Sequence, residues 1–457
     1  MSVPDIDRQM GIEIFLTKTN GVGGVIRRSV EDFLVEEILV DDSKANATPK
    51  TDLKPPLGAS WERQPYLLCV LVKRHWDTFA AIKGVAKALG IDQDCIQIAG
   101  IKDAKALTSQ YVTMKGVLAE EALAVKVRDI ELRPLGYFRE PLCSFYLLGN
   151  NFKITIREIN LQKASAEERV ANCWAEIVSA GGIPNFYGHQ RFGTTRAITH
   201  LVGKAMVKGN IEEAAMLFLA KPSPHEHSES RRIRTELQET KDFKQAQKDF
   251  PIQLRFERTM LGHLNEHPAD FSGAFRRLPT KLRLLFVQAW QSYLFNRFLS
   301  ARIKAGFLLC KAEVGDYVMN VERNNLPMVR TGKIVDADNV TAVNELIHAG
   351  KMRVALPLFG AKQKLSNSAM GDLERGILEE EGVEAQGFWV PVLPEVAARG
   401  ELRAAVCPVK NFSTEEFSFD TQGNLSLPLV FALLRGAYAT VLLREIMKPT
   451  DVVRAGF

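Results

Sequence analysis

Cys95-Ile96-Gln97-Ile98-Ala99-Gly100-Ile101-Lys102-Asp103-Ala104-Lys105-Ala106 runs from an apolar alternation into a glycine and then reaches a carboxylate flanked by lysines. The alternation reads as a strand and the glycine as the tight turn that ends it. The turn then presents Asp103 between Lys102 and Lys105, whose charges favour the ionised carboxylate and can hold an anionic substrate. Taken alone, the same residues describe a surface turn with salt-bridging lysines. The neighbouring segments set the turn in a sheet. Residues 66–72 form an unbroken apolar run, a buried strand. Residues 78–89 space Phe79, Ile82, Val85, Ala86 and Leu89 at helical intervals before the stop at Gly90. Strands are expected from Tyr111 and over residues 151–157, and two short ones over 23–28 and 33–38. Residues 41–65, rich in Asp, Lys, Pro and Ala without period, read as a loop or edge excursion.

Beyond a helix over residues 165–180 that stops at Gly181-Gly182, the pattern changes. Helices dominate to about residue 380, the clearest over 281–305 with Leu285, Phe286, Ala289, Trp290, Tyr293, Leu294 and Phe298 on one broad face. Strand-like runs return near Val318, over 352–356, over 402–406 and over 424–427, and a final helix covers 438–447. The order sheet, helices, sheet predicts an α/β (α+β) protein in which one domain is inserted into another. The domain made of residues 1–181 with 399–457 is expected to hold a central mixed, mainly antiparallel sheet. Residues 182–398 form the helix-rich insertion, capping a cleft.

At 457 residues the chain exceeds one ordinary core, and 46% hydrophobic with 25% charged residues is the balance of a folded soluble protein. No apolar run approaches the roughly 20 residues a membrane span needs. The N-terminus lacks the basic-then-apolar order of a signal peptide. Six scattered cysteines indicate neither a zinc knuckle nor a disulfide framework, and read as buried thiols in a reducing compartment. A cytoplasmic location is expected. The net charge of +5 permits a nucleic-acid partner without arguing for one.

Six segments in order resemble the TruD-type tRNA pseudouridine synthases: 31–36 (EDFLVE), 99–103 (AGIKD), 149–152 (GNNF), 184–193 (PNFYGHQRFG), 288–296 (QAWQSYLFN) and 436–440 (GAYAT). Residues 196–200 (RAITH) are similar to the archaeal branch. The resemblance implies isomerisation of a tRNA uridine, normally position 13 of the D-arm, to pseudouridine. Asp103 would be the catalytic carboxylate, acting either as nucleophile at C1′ or as the base that yields a glycal. Phe33 and Phe152 would line the pocket for a flipped base, although their spacing equally describes strand-core rings. Asn150 would hydrogen-bond near the catalytic loop, or simply follow the turn at Gly149. Arg27 takes the place of a basic residue, lysine elsewhere in the family, that pairs with the carboxylate; a guanidinium could do so bidentately, and Arg28 is the alternative. Asn185, His189, Gln190 and Arg191 would form a wall contacting base or phosphate, or else a turn packed among aromatics. Tyr438 reads as structural. tRNA is the implied partner. Neither a metal nor a nucleotide cofactor nor a membrane is implied, and the oligomeric state is open, a monomer being compatible.

Two rivals stand beside this reading. His263-Leu264-Asn265-Glu266-His267 fits the H-x-x-E-H pattern of zinc peptidases, with His263 and His267 as ligands, but Pro268 follows at once and no third ligand is evident. His225-Glu226-His227 reads as an exposed loop. The other rival is a non-catalytic RNA-binding module, against which the intact Asp103 stretch and its aromatic companions argue.

Overall fold

The computed structural model describes residues 2–49, 55–193, 195–420 and 423–457; residues 50–54 of the expected 41–65 excursion lie outside them. A nine-stranded sheet organises the chain. Its first six strands are β1 (Phe33–Leu39), β2 (Tyr66–Arg74), β3 (Ile96–Ile98), β4 (Leu107–Lys115), β5 (Ile130–Phe138) and β6 (Leu147–Ile159). The main path runs Lys410–Thr414, Leu425–Leu434, β6, β1, β4, β2, β5. Only β1 and β4 pair in parallel; the other neighbours are antiparallel. The sheet is therefore mixed and mainly antiparallel, as the strand order anticipates.

Period-two alternation decides which side chains share a face. One row crosses five strands through successive pairings: Lys73, Thr108, Val35, Phe152 and Phe431. Glu37, Asn150 and Leu433 form part of a second row, two residues along each strand. This face carries the cleft described below. The helix Thr78–Leu89 begins where Asp77 accepts from the amides of Phe79 and Ala80, and ends at Gly90 in the left-handed region (φ 68°). It buries Ile82, Val85 and Ala86 against Leu67, Cys69 and Leu71 of β2.

The expected strand over 23–28 is absent. Gly23, Gly24 and Arg27 all have positive φ (70°, 83° and 60°), so the segment winds and touches the sheet through the single bridge Val25–Arg157. Two further amides bond to the C-terminal end, Gly23 to Met447 and Ile26 to Ala455.

The chain leaves the sheet after the helix Lys163–Ser179 and runs mostly as helices. The helix Thr280–Lys304 is the longest of these, burying Phe286, Trp290, Leu294 and Phe298. A four-stranded sheet accompanies the helices, and Glu401–Ala404 belongs to it, pairing with Met352–Leu358. Val406–Cys407 then pairs with Ile183–Pro184, so the outgoing and returning chain lie side by side. Cys69, Cys173 and Cys407 are buried thiols, whereas Cys143 is exposed. No described helix is long and apolar enough to cross a membrane.

Candidate active site

The loop 99–106 connects β3 to β4, beside β1, and closes one wall of a cleft of about 660 Å³. Asp103, Phe33, Asn150, Phe152 and Gln190 all line it. The loop is fixed from beneath by buried polar groups. Gln110 donates to the Gly100 carbonyl at 3.0 Å, and Thr78 Oγ1 accepts from the Lys102 amide at 3.1 Å. The Lys102 side chain turns inward, pairing with Glu37, whose other oxygen accepts the Tyr111 amide at 2.9 Å. Lys102 therefore does not flank Asp103 in solvent, as its place in the sequence implied.

From the opposite wall Gln190 Nε2 donates to Asp103 Oδ1. Gln190 sits in the short turn His189–Arg191, and that turn is anchored by burial. His189 Nε2 meets Asp7 Oδ1 at 2.7 Å, both side chains inaccessible, and Arg444 pairs with the other Asp7 oxygen. Although burial pushes Asp7 up, the Arg444 charge and the His189 hydrogen bond hold its carboxyl below the ordinary value. His189 is thus part of the frame and does not face the cleft wall.

Phe33 and Phe152 meet edge to face, ring centres 6.5 Å apart, and Phe431 stacks behind Phe152 at 5.2 Å. Both lining rings are almost fully covered, at 1% and 5% exposure, so they form the floor of the cleft and do not project as free platforms. Arg27 lies over Phe33, its guanidinium carbon 3.9 Å from the ring centre, and donates to the Gly456 carbonyl at 2.7 Å. The bidentate pair with Asp103 is not made, because positive φ at Arg27 and the Gly456 bond direct the guanidinium behind the ring. Burial lowers its pKa and the Asp103 charge opposes that fall, so the two groups sense each other without touching. Arg28 is committed to Glu158 through two bonds of 2.6 and 2.8 Å.

Asn150 Oδ1 is buried in the cleft wall with no hydrogen-bond partner among the described residues. Asn185 and Arg191 are not brought into the lining. Asn185 bonds the Ala404 carbonyl and receives Arg403 at 2.8 Å; Arg403 in turn reaches the Gly436 carbonyl at the cleft's edge. Arg191 donates to Ser292 at 3.1 Å and to Gln288 at 3.3 Å. Tyr438, expected to be structural, lines the cleft with Thr440, whose hydroxyl is buried and unpaired among the described residues. The histidines of the zinc-peptidase pattern lie elsewhere. The helix ends at Glu266, and His263 has both ring nitrogens occupied, by Asp270 at 2.9 Å and Arg277 at 3.5 Å.

A mixed sheet whose face carries a carboxylate loop, aromatic floor and unpaired amide oxygen defines an enzyme-like cleft without a nucleotide-binding turn. Residues 9–446 match the family model described as tRNA pseudouridine synthase D (TruD). The chain is 37% identical over 449 residues to a Methanosarcina mazei protein named probable tRNA pseudouridine synthase D, covering 98% of each. A Thermococcus onnurineus protein of the same name is 35% identical over 435 residues, covering 95% of this chain and 97% of that one. A crystal structure of a TruD protein from Methanosarcina mazei superposes with a TM-score of 0.82 at 37% identity, covering 98% of this chain and 99% of the other. The chain belongs to the TruD family.

Proposed function

We propose that this enzyme isomerises a tRNA uridine, at position 13 of the D-arm, to pseudouridine, with Asp103 as its catalytic carboxylate. The reaction breaks the N1–C1′ bond, turns the uracil, joins C5 to C1′ and releases the C5 hydrogen as a proton. Cleavage builds positive charge at C1′, as glycoside hydrolysis does, and a carboxylate stabilises or captures it. Asp103 serves either as the nucleophile at C1′ or as the base that takes a sugar proton. Gln190 orients the carboxylate by donating to one oxygen.

A uridine inside folded RNA must leave its stack, at a cost of a few kcal/mol. Contact with aromatic groups offsets about 1–3 kcal/mol of that cost. Phe33 and Phe152 supply the apolar floor, and Asn150 Oδ1 offers the buried acceptor that a uracil N3–H fills. Arg27 supports Phe33 and adds positive potential. We assign Arg191 to the phosphate-facing rim, and Asn185 to propping the Arg403–Gly436 edge. The two-part organisation, 1–181 with 399–457 around an insertion at 182–398, accounts for Gln190 reaching Asp103 from the far wall.

The observation that carries this reading is the single cleft shared by Asp103, Phe33, Phe152, Asn150 and Gln190. Replacing Asp103→Asn tests it: pseudouridine formation should vanish while tRNA affinity stays within about twofold. An active Asp103→Asn enzyme refutes the assignment. Mapping pseudouridines in tRNA from cells with and without the protein tests the D-arm position.

A further inference from the structure

The buried ammonium of Lys73 lies behind the catalytic loop and bonds to main chain, not to a carboxylate. Lys73 is the next-to-last residue of β2, on the cleft face of the sheet in the row that includes Val35 and Phe152, and is 0% exposed. Nζ donates to two backbone carbonyls, Trp76 at 2.7 Å and Asp103 at 2.8 Å. Those carbonyls belong to different segments: Trp76 lies just before the helix Thr78–Leu89, Asp103 in the β3–β4 loop. Burying an ammonium is costly unless hydrogen bonds compensate it, so an inward lysine at this position needs a reason. With both of its hydrogen bonds made to main-chain carbonyls and no place among the residues that line the cleft, Lys73 serves the loop rather than the substrate.

We propose that Lys73 is a positioning residue for the isomerisation: its ammonium clamps the main chain of Asp103 to the start of the helix and thereby aims the carboxylate into the cleft. The proposal rests on Asp103 being the catalytic carboxylate. A carbonyl held at 2.8 Å fixes the peptide plane after Cα, and with the Lys102 amide held by Thr78 the loop is pinned on both sides of the reacting residue. Gln190 then sets only the carboxylate's rotation.

The clamp has a pH signature. Burial pulls the Lys73 ammonium down to about 8; the Asp103 and Asp77 carboxylates oppose the fall, and Lys102, itself paired with Glu37, adds to it. Above that pH the two charge-assisted bonds become neutral ones of roughly half the strength. The rate should therefore decline as pH rises through about 8, while tRNA binding need not follow it.

The test uses the full chain and a tRNA transcript tritiated at uridine C5, with single-turnover release of tritium followed from about pH 6.5 to 9.5. Lys73→Met should slow release about tenfold to a hundredfold, the effect of losing charge-assisted hydrogen bonds, with the tRNA Kd within about twofold and no alkaline decline near 8. Lys73→Arg, which stays charged, should restore most of the rate and keep it to the alkaline end. A folded Lys73→Met enzyme within about threefold of the parent rate overturns the clamp. Should neither variant fold, the parent decides alone: a rate that is flat through pH 9.5 overturns it. Asp103→Asn, assayed alongside, separates the two claims. If it is active, the site reading fails; if it is inactive while Lys73→Met is unimpaired, only the clamp fails.

Discussion

Lys102→Met tests whether the catalytic loop stands on a buried ion pair. The Lys102 side chain is 3% exposed and that of Glu37 0%, so the variant leaves a carboxylate out of water with the Tyr111 amide as its remaining partner. Stranding one charge of a buried pair costs about 3–5 kcal/mol. Replacing both residues by apolar ones of similar size, Lys102→Met with Glu37→Leu, removes the stranded charge and orphans only the Tyr111 N–H, a cost of about 1–3 kcal/mol. The double variant should therefore be more stable than the single one by about 2 kcal/mol. A chain of this size need not unfold in one step, so the assay is local: hydrogen exchange of peptides covering β4, which contains Tyr111. Protection there should fall roughly a hundredfold to several thousandfold in Lys102→Met and recover in large part in the double variant. A loss below about tenfold, or a double variant no better protected than the single, refutes the pairing argument.

Gln190→Ala should lower the single-turnover rate about tenfold or more, with tRNA affinity kept, because a hydrogen bond to a charged group contributes about 1.5–3 kcal/mol; an unchanged rate means the bond seen here is absent when RNA is bound. Gly149→Ala should destabilise by more than about 1–3 kcal/mol, since its Cβ would sit 2.1 Å from the Leu433 carbonyl oxygen and main chain cannot step aside; a melting temperature matching the parent's speaks against that packing. Asp7 and Glu445 both have carboxyl pKa values held below the ordinary range, so their contribution is present above that range and is lost as the pH falls through the folded values. Asp7→Asn should lower stability near neutral pH and flatten the acid limb of a melting-temperature profile; an unchanged limb points to other groups. Affinity for tRNA should weaken steeply with salt, and a flat response counts against phosphate contacts.

Elements with local end signals were legible in the sequence. The helix Thr78–Leu89 was placed to the residue because Asp77 and Gly90 cap it through their own chemistry. The helix Thr280–Lys304 came within a residue at each end, from its apolar face and Pro279. The segment 23–28 was misread because its glycines permit the positive φ that its amides, bonded to residues 447–455, require. In the site, the motif residues on neighbouring strands were found, but not the groups that hold them. His189 read as a wall residue; its partner Asp7 lies 182 positions away. Lys73 follows directly on the apolar run 66–72, and the loop that takes up its ammonium returns only 30 residues later. Long-range pairing of this kind leaves no mark in a local pattern.

The arrangement explains why the loop is held through its main chain. On the role proposed for Asp103, a carboxylate that meets a developing cation at C1′ works best already aimed, since reorienting it during bond cleavage would add to the barrier. Hydrogen bonds to its oxygens aim it but also compete with the substrate for the same lone pairs. Bonds to the surrounding main chain carry no such conflict. Lys73 on the Asp103 carbonyl, Thr78 on the Lys102 amide and Gln110 on the Gly100 carbonyl fix the backbone while leaving the reactive group free. Among the described residues only Gln190 hydrogen-bonds the carboxylate, and it does so on Oδ1. On the proposed role of Asp103, aim is set by the sheet and rotation by the opposite wall, and Oδ2 is left for the ribose of a uridine drawn into the cleft.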